Sequence, residues 1–193
     1  NQYYPLTSGH GRTVMICAHV DEIGLMVQGI DDDGFIRIVA VGGIDVNTLS
    51  GQRVRIGSVP GVIGRRAIHL RNKEDEETPL RMDQLWADIG AKSKAEAEAL
   101  ISIGDAFTLD APVTALRNNR LAARGLDNRI GVFVLLEAMR QLAQRTLSVN
   151  VVGVTSVQEE IGLRGATTSG HQVAPDIAIN IDVNFATDHP NGN

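Results

Sequence analysis

Val14-Met15-Ile16-Cys17-Ala18-His19-Val20-Asp21-Glu22 decides how this chain folds. An unbroken apolar run, Val14 to Ala18, stops at a histidine and an aspartate spaced one residue apart. A strand covered on both faces reads as such a run, because neither face alternates with solvent-facing polar residues. Open α/β sheets bind ligands just beyond the carboxyl ends of their strands. His19 is therefore a candidate metal ligand, and Asp21 a candidate neighbour.

Working outward, the same form recurs late in the chain. Val149 to Val154 reads as a buried strand, the region after Gly162 as a helix, and Ile177 to Ile181 as another buried strand. Between the first strand and these, Ile130, Val134, Leu135, Ala138 and Leu142 recur at helical spacing after Asp127, which predicts an amphipathic helix of about four turns. Strand, helix and strand in alternation imply a parallel sheet. The stretch from about Gly24 to Leu116 has a different grain. Ile23 to Val27 and Phe35 to Val41 flank Asp31-Asp32-Asp33-Gly34, a hairpin signal, and closely spaced glycines separate short β-branched runs such as Val54-Arg55-Ile56 and Val62-Ile63. Ser93 with Glu96 predicts a capped short helix through about Leu100, and Phe107 to Leu109 returns to strand character. The expected fold is α/β, with a parallel or mixed sheet interrupted by a small β-barrel-like or sandwich insert.

Bulk properties exclude several classes of function. With 18 basic against 23 acidic residues, a net charge of −5 and few aromatics, nucleic-acid binding is disfavoured. No apolar stretch approaches the ~20 residues of a membrane span, and the start lacks the form of a signal peptide. The single cysteine, Cys17, lies inside the apolar run and fits a buried hydrophobe in a reducing compartment. A cytoplasmic protein is expected. The mixed-charge stretch 71–78 is expected to be a solvated loop.

Each strand of the expected sheet ends in metal-capable side chains: His19 and Asp21, then Glu159-Glu160, then Asp182. Asp127 adds a carboxylate at a helix start, where the macrodipole favours an anion. Taken singly, each has a structural alternative. The glutamate pair suits the first turn of a helix, Asp127 an N-cap, Asp182 a surface turn and Asp21 an exposed acid. Taken together, a structural account has to treat three strand endings as coincidence. The residue types suit hydrolysis assisted by two metal ions ~3.5 to 4 Å apart, with one carboxylate bridging them and another taking a proton from water. Successive side chains on an extended backbone diverge, so one of Glu159 and Glu160 can face the metals and the other the substrate.

The segments Ala18 to Gly24, Gly125-Leu126-Asp127-Asn128-Arg129-Ile130-Gly131, Val157 to Ala166 and Asp182-Val183 resemble, in order and spacing, the glutamyl or tetrahedral aminopeptidase family of two-metal exopeptidases. Some members of that family have been labelled endoglucanases. The resemblance implies a metallopeptidase domain over 1–23 and 117–193, with residues 24–116 as an inserted dimerisation domain. It implies His19 and Asp182 as ligands of one metal, Asp127 as the bridge, Glu160 as a ligand of the second metal and Glu159 as general base. Asp21 would then fix the tautomer of His19, as ligating histidines usually require. Two divalent ions per subunit are implied, zinc, cobalt or manganese, together with peptide substrates and assembly from dimers to a dodecamer.

The family takes the last ligand of the second metal from a histidine well downstream of the Asp182 position, and this chain runs eleven residues beyond Asp182. His189, His171 and His10 read as loop residues, and His69 lies in the insert. The expected activity is removal of N-terminal residues from peptides. The alternatives are a two-metal deacylase or carboxypeptidase, and a non-catalytic assembly protein that keeps the fold.

Overall fold

A computed structural model of the chain describes residues 1–7, 11–71 and 78–190. His10, residues 72–77 of the expected loop and the final 191–193 lie outside the described residues. Along the chain the strands are β1 (Gln2–Leu6), β2 (Thr13–His19), β3 (Gly24–Ile30), β4 (Ile36–Val41), β5 (Arg53–Ile56), β6 (Val59–Arg65), β7 (Leu85–Asp88), β8 (Ala106–Leu109), β9 (Thr114–Leu116), β10 (Arg120–Ala122), β11 (Asn150–Ser156) and β12 (Ile177–Asn180). The helices are α1 (Lys94–Glu98), α2 (Leu126–Leu142) and α3 (Arg164–Val173). Backbone contacts divide the chain into two compact units, Asn1–Glu22 with Gly125–Asn193, and Ile23–Arg124.

In the first unit the sheet order is β1-β11-β2-β12. β11 and β12 run parallel to β2 on either side, with Ser156 opposite His19 and Ile179 opposite Ile16, whereas β1 pairs antiparallel with β11. The sheet is thus mixed. β2 is buried on both faces, as its apolar run requires. Ile16 and Ala18 pack with Leu135 and Met139 of α2, while Met15 and Cys17 pack with Val154 and, at the cluster's margin, with Ala166 and Val173 of α3. A Cβ at Gly153 of β11 would stand 2.9 Å from Met139 Cγ and 3.3 Å from Leu135 Cδ2, so this glycine is what lets α2 seat closely on the sheet.

Two expectations for this unit are corrected. Leu135 of the expected stripe is buried and Leu142 packs beside it, but Ile130 and Val134 are 48% and 45% exposed, and the buried face of α2 is Asn128, Gly131, Leu135 and Met139. The helix carries two stripes one residue out of phase, and the buried one contains an asparagine and a glycine that hydrophobicity alone does not rank. β12, expected to be buried, is exposed along its length. Among the described residues β2 is its one partner strand.

The second unit is a closed antiparallel barrel in the order β3-β4-β7-β6-β5-β8, sealed where Leu25 of β3 meets Phe107 of β8. Closure leaves no edge within the barrel. Alternate residues fill it, among them Leu25, Val27, Ile36, Ile38, Val54, Ile56, Ile63, Ala87 and Phe107. The expected β3–β4 hairpin forms, and the Asp31 carboxylate accepts the N–H groups of Asp33 and Phe35 to shape its turn. Ser93 caps α1 by accepting the Glu96 N–H at 3.3 Å. The Glu96 side chain reaches back to the N–H of Lys92 rather than to that of Ser93. β9 and β10 pair through a turn in which Asn118 and Asn119 both take positive φ. That pairing keeps residues 117–124 with the barrel, so the first unit resumes at Gly125.

Candidate functional site

Everything at the carboxyl edge of the first unit's sheet is organised around His19, the last residue of β2 and 97% buried. Its Nδ1 lies 3.1 Å from the main-chain oxygen of Asp21. A carbonyl can only accept, so this contact is a hydrogen bond when Nδ1 carries the proton, which leaves the Nε2 lone pair free. Nε2 faces three carboxylates: Asp127 Oδ1 at 3.1 Å, Asp182 Oδ1 at 3.7 Å and Glu159 Oε2 at 3.9 Å. Those acids come from the start of α2, the end of β12 and the turn after β11.

Two groups of possible ligand atoms lie within 4.8 Å of one another, His19 with Asp127 and Asp182, and His19 with Glu159 and Glu160. Among the described residues no lysine or arginine lies within ion-pair distance of Asp127, Glu159, Glu160 or Asp182. The electrostatic consequence registers on Glu160. Burial pushes its carboxyl above the usual range, the negative charges of Asp127, Glu159 and Asp21 push it the same way, and His19 partly offsets them. A buried imidazole nitrogen with an open lone pair, ringed by acids that repel one another, is a donor set suited to divalent cations.

The family resemblance implies that Asp21 fixes the tautomer of His19, and in the structure Asp21 meets Nδ1 through its main chain while its side chain also makes other contacts. The main-chain oxygen holds Nδ1, while the carboxylate is 3.6 Å from that nitrogen and accepts the backbone N–H of Glu159 at 3.1 Å and of Glu160 at 3.2 Å. Asp21 therefore grips the backbone of the glutamate pair. Gln158, just before the pair, adopts φ +59°, a left-handed conformation uncommon for a residue with a side chain. The chain turns sharply there, and the Glu159 carbonyl then accepts N–H groups from Gly162 and Leu163 before α3 begins. Glu159 and Glu160 thus sit in a turn rather than in a first helical turn.

Asp127 is likewise not the cap that its position allows. It and Asn128 depart from helical geometry, and the peptide between them is cis. The N-cap interaction comes from Asn128, whose Oδ1 accepts the Gly131 N–H at 3.0 Å. Asp127 is thereby left free to face His19. Asn128 carries no role in the sequence reading, although asparagine is among the residues preferred at a helix N-cap. Arg129 donates to Glu22 at 3.0 Å, joining the residue after Asp21 to the helix that carries Asp127. His171 lies in the last turn of α3 rather than in a loop, and His69 in a short 3-10 turn. Both are exposed, as is His189 near the end of the described chain.

Comparison with known proteins matches residues 4–193 to the M42 glutamyl aminopeptidase family. The lysyl aminopeptidase of Pyrococcus furiosus is 39% identical over 184 residues, covering 92% of this chain and 53% of the relative. Among solved structures, a TET aminopeptidase from Thaumarchaeota archaeon SCGC AB-539-E09 superposes with a TM-score of 0.89 at 32% identity, over 98% of this chain and 56% of that one. The TET1 peptidase of Pyrococcus horikoshii, which can assemble into a tetrahedron or a large octahedral shell, superposes with a TM-score of 0.83 at 36% identity, over 93% and 55% of the two chains. This chain spans about half the length of the relatives it matches.

Proposed function

The chain belongs to the M42 glutamyl aminopeptidase family, and from that premise we propose that it acts as a metal-dependent aminopeptidase, removing N-terminal residues from peptides. His19, Asp127 and Asp182 would hold one divalent cation, and Asp127 and Glu160 would contribute to a second, with Asp127 shared; zinc, cobalt and manganese all suit these donors. Bound there, such cations supply Lewis acidity toward water and the scissile carbonyl.

The remaining work falls to this chain's own groups. Glu159 takes a proton from the attacking water and returns it to the leaving amine, a transfer that a positioned carboxylate can perform in both directions. Asp21 holds the Glu159 and Glu160 backbone by two accepted hydrogen bonds, which fixes where that carboxylate stands. The main-chain oxygen of Asp21 keeps the protonated nitrogen of His19 turned away from the acids. One observation carries the reading: a buried histidine Nε2 facing Asp127, Glu159 and Asp182, with no lysine or arginine among the described residues within ion-pair distance of them.

The barrel unit would mediate self-association, giving dimers that build a larger shell up to a dodecamer. Its exposed Val113, Leu116 and Leu121, on and beside the β9–β10 hairpin, support that role. Among the described residues no helix is long and apolar enough to cross a membrane. The one cysteine is free and buried, which is consistent with the cytoplasmic site of action we assign to it.

The test is hydrolysis of matched peptides by the protein before and after chelation. A free-amine peptide should lose its first residue, the activity should vanish on chelation and return with metal, and the N-acetylated peptide should stay intact. Cleavage of the acetyl group or of the C-terminal residue instead would support a deacylase or carboxypeptidase. An assembly that binds no metal and cuts nothing would support a purely structural protein.

A further inference from the structure

We propose that Asn128 is a positioning residue that holds the two carboxylates of one ligand group, Asp127 and Asp182, in register around His19; this rests on the metal-site reading above. Asn128 is fully buried, and both ends of its amide are used. Its Oδ1 accepts the Gly131 N–H at 3.0 Å, and its Nδ2 donates to the main-chain oxygen of Ile181 at 2.8 Å. The other side of Ile181 is fixed as well, because its N–H donates to the Cys17 oxygen of β2 at 2.8 Å. Ile181 is thus clamped between the strand that carries His19 and the residue that follows Asp127.

Asp182 is the next residue along, with its Oδ1 accepting the Val183 N–H at 2.9 Å and lying 3.7 Å from His19 Nε2. Three acid or imidazole groups from β2, α2 and the end of β12 therefore meet through one side chain. The position demands a group that donates at one end and accepts at the other over the length of a single carboxamide. Aspartate lacks the donor when ionised, and serine caps the helix but is too short to reach Ile181. Gly131 adds an independent constraint: a Cβ there would overlap the Asn128 carboxamide oxygen. Anything larger at 131 displaces the brace without altering Asn128 itself.

The experiment compares Asn128→Ser and Gly131→Ala with the parent protein and with Asp127→Asn. It reads zinc affinity by competition with a chromophoric chelator, the absorption spectrum of the cobalt-loaded protein, and the melting temperature of the metal-free protein. Loss of a hydrogen bond that orients a ligand costs metal sites about 10–100-fold in affinity. Asn128→Ser and Gly131→Ala should each weaken zinc binding by that order and alter the cobalt spectrum while the metal-free protein stays folded at the assay temperature. Unchanged zinc affinity and cobalt spectrum in both variants, with only the melting temperature lowered, would reduce Asn128 to a helix cap. A variant that loses its fold also counts against the proposal, since it makes the residue structural. The underlying site reading fails separately, when the parent binds no zinc or Asp127→Asn binds it as tightly as the parent.

Discussion

Replacing Asp21 with asparagine separates the two tasks open to this residue. Its carboxylate accepts two backbone N–H groups, from Glu159 at 3.1 Å and from Glu160 at 3.2 Å, whereas the His19 ring is held by the Asp21 main chain, which the substitution leaves alone. Hydrogen bonds to a charged acceptor contribute about 1.5–3 kcal/mol each, and those to a neutral one about 0.5–1.5 kcal/mol. An asparagine keeps one acceptor oxygen and turns an NH2 group toward the other N–H, so one bond is lost and the other weakened. The side chain is about a quarter exposed (24%), and water compensates in part, which puts the loss near the lower end, about 2 kcal/mol. At 1.36 kcal/mol per factor of ten, kcat/KM should fall about 30-fold. Zinc held by His19, Asp127 and Asp182 should stay at the parent level, because the His19 ring keeps its partner, whereas the second ion, to which Glu160 would contribute, should bind more weakly. Steady-state kinetics on a free-amine peptide together with metal analysis decide the matter. Turnover within threefold of the parent, or loss of the ion held by His19, Asp127 and Asp182 in proportion to activity, would refute the assignment of the carboxylate to the glutamate backbone.

Leu135, completely buried where α2 meets the sheet, should cost about 2–5 kcal/mol when truncated to alanine; urea denaturation reads the change, and a loss under 1 kcal/mol would contradict the packing of α2 described above. Cys17 is 97% buried and its thiol donates to Ser156 Oγ at 3.6 Å, and burial pushes its acidity below that of a free thiol. Its reaction with a disulfide reagent at pH 8 should be on the order of a hundredfold or more slower in the native protein than in denaturant, since it has to await opening of the sheet. Equal rates in the two states would mean that β2 is not the central strand.

Much of this organisation is legible in the residues themselves. A continuous apolar run bounded by turn signals reads as a strand, and the runs Val14 to Ala18, Val149 to Val154 and Ile177 to Ile181 each coincide with a strand of the sheet. The barrel was visible in its glycine-punctuated short strands, and the family resemblance assigned the acids to roles. What escaped was carried by short or polar pieces. β7 is four residues long and alternates in burial around Trp86, and β1 contains a proline and two tyrosines, so neither offers a periodic signal. The phase of α2 was misjudged because its inner face is built on Asn128 and Gly131, and the value of those residues lies in hydrogen bonding and close approach rather than hydrophobicity. Which atoms of Asp21 meet His19 and which meet the glutamate backbone is a matter of local geometry, and spacing alone carries no information on that.

On the proposed function, the acids gathered on His19 serve a metal-assisted hydrolysis with Glu159 as the proton carrier. Glu159→Gln tests it most directly, because the amide keeps the shape and removes the basicity. Metal stoichiometry, measured by elemental analysis, should stay equal to the parent, while kcat on a free-amine peptide should drop by about 100-fold or more, the share a general base supplies. Full metal content with undiminished turnover would contradict it.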